Sequence, residues 1–364
     1  MSPKNLILTA ILILTTLPSH ALIRKVSGII AHHTTWTCDT FFLTGDVQVA
    51  PGAVLTIESP CLVDLSSGHG IIINGTLIAR GTMNDPVRFQ GGHNLPGSCA
   101  GGIKVLSNLQ THPSEFTYCS FFQCGSSSIQ GEFSGAVDIH GANRLKISYC
   151  SFIQNQSPLA GGAVSATNSS MHLTRCIFRE NGSGQKAGAV YCNLCSEVMV
   201  VGCSFVMNHT HGQGGGIYCK DTDGILEQNE FLSNTASTTV GGPGNTTGEG
   251  GGVYLSSVSG GMSVLSNRFI NNNSNASLYE SSFQSLIANN LIANNAGMGI
   301  VCGHAHSRSI YLNNTIVSNE CGGLFCASDQ VEVWNNIFWN NAGISPGSQF
   351  IPMQSFALIF HNCL

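Results

Sequence analysis

Apolar and polar positions alternate in short bursts along this chain, and the bursts return. In Cys176-Ile177-Phe178 the first and third residues fall on one face of an extended strand and the second on the other. The same burst recurs as CSFFQC (119–124), CSFIQN (150–155), CIFREN (176–181), CSFVMN (203–208) and NEFLSN (229–234). It continues as NRFINN (267–272), NNLIAN (289–294), NTIVSN (314–319) and NIFWNN (336–341). The consensus is Cys/Asn-x-aromatic/aliphatic-x-x-Asn, and successive starts lie 22 to 31 residues apart except for one interval of 38. A second motif follows most copies of the first: SGAV (134–137), GGAV (161–164), AGAV (187–190), GGGI (214–217), GGGV (250–253), GMGI (297–300) and CGGL (321–324). Polar, Gly-rich turns lie between, and no segment holds apolar positions at helical spacing over several turns.

Self-similarity at such a period is the mark of a solenoid, in which each unit buries its apolar face only against its neighbours. The pattern predicts an all-β chain, a single right-handed parallel β-helix with rungs of 22 to 27 residues. Inward phenylalanines would stack about 4.8 Å apart. The closing Asn would sit at the turn, bonding backbone or tolerating a left-handed conformation, and the glycines would allow a sharp corner. Residues 26–106 use other words for the same architecture: GDVQVAPGAVLTIESPCLVDLSS and GIIINGTLIARGTMNDPVRFQGG alternate in short runs broken by Gly and Pro. The expected layout is a cap and first rungs over 22–118 and the repeat over 119–364, with no linker dividing them.

The N-terminal MSPKNLILTAILILTTLPSHA has a lysine, an apolar run from Leu6 to Leu17 and a small-residue exit, the pattern of a signal peptide over 1–21 cleaved after Ala21. Its apolar core is shorter than the about 20 residues that span a bilayer, and no later segment is long enough. A mature chain without a transmembrane segment, secreted or held at the cell surface, is the expectation. At the other end FHNCL places Leu364 26 residues after Phe338, on the period, so the chain reads as stopping inside a repeat copy.

Composition narrows the function. Charged residues make up 9% of the chain and the net charge is −5, with no basic stripe, which excludes a nucleic-acid partner. At 42% hydrophobic the chain is not disordered. Fifteen cysteines in an exported chain raise the question of disulfides. Cys119, Cys150, Cys176 and Cys203 fall in one inward column; Cys192, Cys219, Cys302 and Cys326 fall in another with Ile139, Ala166 and Leu255. Adjacent rungs lie within disulfide reach, but thiols alternating with Ile, Ala and Leu read as small buried hydrophobes.

The paired Gly-Gly-Ala-Val and Phe-x-x-Asn motifs resemble the polymorphic outer membrane proteins and, more broadly, the pectin-lyase-like right-handed β-helix proteins. The likeness runs from Cys119 to Asn341. It implies a surface or secreted passenger used in adhesion, with carbohydrate or a host surface protein as partner. Members of the narrower family usually end in a membrane barrel, and no barrel strands are present in this sequence.

Catalysis in this architecture, as a polysaccharide lyase or glycoside hydrolase, requires converging carboxylates. Asp138 and His140 both point outward in SGAVDIHG, near Glu132, as an acid/base pair or as a solvated rim. Asp221, Asp223 and Glu227 resemble a calcium loop but lack its third acidic position and twelve-residue length, so Ca²⁺ is the only cofactor considered. SGHG (67–70) resembles a polygalacturonase motif without its paired aspartates and reads as a turn. HTH (209–211) and HAH (304–306) supply imidazole pairs with no third ligand, and Cys192-x-x-Cys195 is a lone pair. Asn155, Asn168, Asn181, Asn208 and Asn245 head glycosylation sequons, meaningful only in a glycosylating host. The most extended feature is an outward column of Asp138, Ser165, Tyr191, Tyr218, Tyr254, Val301 and Phe325. Tyr191, Tyr218 and Tyr254 would stack on sugars or anchor a partner; equally, they would lock neighbouring rungs together. Binding or adhesion through this face is the function the sequence favours, with the polysaccharide-cleaving enzyme as the alternative.

Overall fold

A computed structural model describes residues 22–37, 39–92, 100–106, 113–125, 135–142, 144–237, 248–257, 261–343, 349–352 and 358–363. Residues 1–21, where a signal peptide is expected, and Glu132, Asn245 and Leu364 lie outside them. The described residues form a right-handed parallel β-helix without an α-helix. One rung shows the plan. Val190–Asn193 lies on a first face, Val198–Val201 on a second and Ser204–Val206 on a third. Among the described residues every pairing between rungs is parallel, as in Val190↔Ile217, Val200↔Leu226 and Phe205↔Phe231, and the register shifts only between Val26 and Gly28 in the first strand. At the N-terminal end the ten-residue strand Thr40–Val49 pairs with both Leu62–Asp64 and Ile71–Ile73, fusing the first and third faces into one sheet. The second face is a separate ladder of 13 strands.

The interior is the stack that the motif predicts. Phe89, Phe121, Phe152, Phe178, Phe205, Phe231 and Phe269 are fully buried, with centroids 4.5–5.0 Å apart and planes within 10°. Offset stacking at the strand spacing lets each ring contact two others without a gap.

The recurring asparagines bond backbone at the turn as expected, but they do not take the left-handed conformation themselves. They are buried and run as a ladder up the corner. Asn208 Oδ1 accepts from the backbone N–H and the side-chain Nδ2 of Asn181, while its own Nδ2 donates to Phe178 O and Asn234 Oδ1, all at 2.9–3.0 Å. The left-handed residue is the one before: Gln154, Glu180, Met207 and Ser233 have φ near +55°. The primary amide suits this site because it offers two donors and an acceptor that takes two bonds. At the other end of the motif, Cys119, Cys150, Cys176 and Cys203 share a second corner column with Asn229, Asn267, Asn290, Asn314 and Asn336. Cys203 N donates to Asn229 Oδ1, and Cys176 N lies 3.4 Å from Cys203 Sγ, so thiol and amide are interchangeable acceptors there. No disulfide joins the described cysteines, and all of them but Cys321 and Cys363 are buried.

One inward strand position among the described residues carries a carboxyl. Glu280 occupies the inward column between Leu255 and Cys302 and is fully buried. Its Oε1 accepts from Ser282 N (2.8 Å) and Ser309 Oγ (3.2 Å), and its Oε2 from the Tyr311 hydroxyl (3.1 Å). Burial, reinforced by Cys302, pushes its carboxyl up to about 8. A carboxyl whose folded pKa exceeds its unfolded one favours the folded state while protonated, and that contribution is lost as pH rises from the unfolded value through about 8. Glu280→Gln keeps a neutral polar group of the same shape. Its melting temperature should equal or exceed the wild type's at pH 9, and the wild type's relative loss between pH 5 and 9 should disappear. Parallel melting curves across that range would contradict a buried, protonated Glu280.

Candidate functional site

The outer surface of the first face carries one column in continuous register: Lys104, Asp138, Ser165, Tyr191, Tyr218, Tyr254, Tyr279, Val301 and Phe325. Tyr191, Tyr218 and Tyr254 are therefore aligned as the sequence suggests, but they are not an open row. Together with Tyr279 they stack at 4.9–5.5 Å with planes within 13°, so inner rings show neighbours their faces and solvent at most their edges. Tyr218 is 3% and Tyr254 9% exposed.

What covers them is an arm formed by the corner before the first face. In four successive rungs the short strands Gln156–Ser157, Gly182–Ser183, His209–Thr210 and Thr235–Ala236 form a small sheet of their own. Beyond it the chain folds back through left-handed Gly161, Ala187, Gly214 and Gly250. The fold-back is tight: a side chain on Gly188 would meet Gly215 O at 2.2 Å. This return lays Lys186, Gln213 and Glu249 along the tyrosines. Lys186 Nζ lies 5.0 Å from the Tyr218 ring centroid, and Gln213 Nε2 donates to Glu249 Oε2 at 2.9 Å.

The arm then ends. Ten residues separate Asn208 from Tyr218, but seven separate Asn272 from Tyr279 and six separate Asn295 from Val301. At this step lies a pocket of about 410 Å³, lined among the described residues by Glu249, Ser274, Asn275, Tyr279, Ala296, Gly297, Met298, Val301, Cys321 and Phe325. Tyr279 is the last ring of the ladder, half-buried and followed by the smaller Val301. Gly303 in the same rung makes room for it, since a side chain there would meet the Tyr279 hydroxyl at 2.3 Å. Tyr279 was not legible as part of the column, because its rung reads Ala276-Ser277-Leu278 where others read Gly-Gly-Ala-Val. The signal was the skipped copy: the second motif jumps from 250–253 to 297–300 while the first has copies at 267–272 and 289–294.

Five rungs below, the structure brings Asp138 and His140 together. Asp138 Oδ2 lies 3.0 Å from His140 Nε2; the carboxylate is buried, the imidazole nearly half exposed, and Asp138 Oδ1 has no hydrogen-bond partner among the described residues. The hydrogen bond that His140 donates to Asp138 raises the His140 pKa against the opposing effect of burial. A carboxylate that orients and charges an accessible imidazole can hold or release a proton near neutral pH. Asp138→Asn should lower the His140 pKa, measured by NMR titration; an unchanged titration would mean that the contact is absent in solution.

The other candidates do not assemble. In Asp221-Thr222-Asp223 the buried position belongs to Thr222, Asp223 is exposed, and these residues form no metal-holding group with Glu227. No calcium loop is built there. SGHG is a turn whose Gly70 N donates to Asp46 Oδ1. His209 and His211 line a pocket of about 300 Å³ with Ser157 and Ser183, and the rings of His304 and His306 lie 6.2 Å apart, each pair without a third ligand among the described residues.

Stacked parallel rungs with a filled interior and a pocketed outer face define a right-handed β-helix protein of the pectin-lyase-like class. Residues 155–345, just over half of the chain, match the family model described as "Periplasmic copper-binding protein (NosD)", and the chain belongs to that family. Among solved structures it is similar to the periplasmic alginate epimerase AlgG, at 13% identity and a TM-score of 0.59, covering 87% of this chain and 76% of that one. A mutant of the same epimerase matches at 11% identity and a TM-score of 0.55 over the same shares. At such identities the likeness is one of fold. No curated protein matches the chain significantly. The broader of the two sequence resemblances, to right-handed β-helix proteins, thus holds.

The family's description names copper, and the donors among the described residues do not assemble a copper centre. Copper(I) favours thiolate and thioether ligands. Several buried thiols are committed to backbone carbonyls of the rung below, as Cys176 Sγ is to Ile147 O and Cys195 Sγ to Ala166 O, both at 3.4 Å. Cys195 is held protonated by its contact with Cys192 and by burial. Met298 and Cys321 line one pocket, but no group of three His, Cys, Asp or Glu suited to a metal ion exists among the described residues.

Proposed function

We propose that this chain is an exported β-helix protein that binds carbohydrate on the outer surface of its first face and acts by binding, as an adhesion or retention module. The observation that carries this reading is the pocket at the end of the tyrosine ladder, where the aromatic Tyr279 and Phe325 meet the polar groups of Glu249, Ser274 and Asn275. Sugar sites combine these elements, because a pyranose offers an apolar C–H face and a rim of hydroxyls. Export is supported by the apolar N-terminal segment and by the word "periplasmic" in the family's description. The periplasm is therefore the compartment proposed first; display at the surface, as in polymorphic outer membrane proteins, is the second.

Asp138 and His140 favour one other reading, a polysaccharide-modifying enzyme using this pair for proton transfer. The test is a glycan array probed with the purified chain from Leu22, with the same glycans assayed for release of reducing or unsaturated sugars. Saturable binding without turnover is the expected result. Turnover abolished by Asp138→Asn would replace the binding reading with the enzymatic one, and binding to no glycan would remove both.

A further inference from the structure

The column of outward side chains is aromatic at Tyr191, Tyr218, Tyr254 and Tyr279, then Val301, then aromatic again at Phe325. Each step is one strand spacing, so two steps place the bases of Tyr279 and Phe325 about 9.6 Å apart. Val301 fills only the bottom of that gap. A ring inserted midway would lie about 4.8 Å from each aromatic plane, within the roughly 4.5–7 Å range of stacked rings. The ladder therefore has one ring missing, and the pocket lies where that ring would be.

The rim selects among rings. Glu249 is the pocket's charged side chain; no Lys, Arg or His lines it among the described residues. Gln213 donates to Glu249 Oε2 and Tyr279 shares a side-chain hydrogen bond with the same carboxylate, whose remaining lone pairs can accept from a ligand hydroxyl or ammonium. Ser274 Oγ is already held by Ala276 O and Gly251 N, so the Glu249 carboxylate is the rim group that discriminates between ligands. A carboxylate-bearing ring would bring a second negative charge beside Glu249 with no cation to offset it.

We propose that the slot between Tyr279 and Phe325 takes one neutral or amino-bearing pyranose ring, stacked between the two aromatic faces, and rejects uronates. This rests on the carbohydrate-binding reading above and narrows its ligand class. It also separates this chain from the alginate epimerase it resembles in fold, whose printed substrate is a polyuronate.

The test titrates the full mature chain with cellotetraose, mannotetraose, chitotetraose and tetragalacturonate. At least one of the first three should bind, and tetragalacturonate should bind about tenfold or more weakly. Val301→Phe supplies the missing ring from within. It should keep the wild-type melting temperature and lose about tenfold or more in affinity. Glu249→Gln should narrow the gap between the neutral ligands and the uronate, and serves should Val301→Phe fail to fold. Tighter binding of tetragalacturonate, or wild-type affinity in both variants, would overturn the slot while leaving carbohydrate binding intact. If none of the four ligands binds, the slot and the carbohydrate reading fall together.

Discussion

Asn208→Ala is expected to lower the free energy of unfolding by about 3–6 kcal/mol, since it orphans two or three buried polar groups at about 1–3 kcal/mol each. The groups are identifiable. Asn181 loses the acceptor for its backbone N–H and for its Nδ2, and Phe178 O loses its donor. Asn208 is fully buried, so water cannot replace the amide without opening the corner. Because each rung is stabilised by its neighbours, the damage should spread along the stack. Chemical denaturation measures it; a change below about 1 kcal/mol, the net worth of one ordinary hydrogen bond, would contradict the ladder.

Phe205→Ala should be nearly as severe, at about 3–5 kcal/mol, the range for truncating a buried aromatic ring. Phe205 lies 4.7 Å from Phe178 and 4.9 Å from Phe231, nearly parallel to both, and is wholly buried. Its removal opens a void between two rings fixed on their own strands, so collapse can fill little of it. Phe205→Leu, which keeps most of the volume, should cost about 1.5 kcal/mol or less. Equal denaturation midpoints for the Ala and Leu variants would mean that the Phe stack is not the core.

The solenoid was legible because its signal is periodic. Every Phe of the motif occupies the inward position that alternation assigns to it, from Phe121 to Phe338. The corner was legible only in part. The recurring Asn is obvious, but an amide in a turn and an amide in a buried ladder require the same residue. The left-handed position next to it accepts Gln154, Glu180, Met207 and Ser233, so its side chains carry no signal. The candidate site was harder still. Tyr218 and Tyr254 were placed correctly in their column, yet their burial depends on Lys186, Gln213 and Glu249 folding back from the corner, a tertiary event that strand alternation cannot report. Glu280 escaped notice because its rung lacks the glycine pair used to align the others. The pocket follows from rung length, and its trace was present in the shortening from Asn208–Tyr218 to Asn272–Tyr279.

Two exposed thiols offer the most direct check on where a ligand sits. Cys321 lines the pocket, whereas Cys363 is exposed outside it. The measurement is the alkylation rate of each thiol by iodoacetamide, read by peptide mass spectrometry with and without a saturating neutral or amino oligosaccharide. Binding at the end of the tyrosine ladder predicts that Cys321 is protected while Cys363 reacts at its original rate. Unchanged alkylation of Cys321 under saturating ligand would place the carbohydrate elsewhere on the molecule and contradict the site.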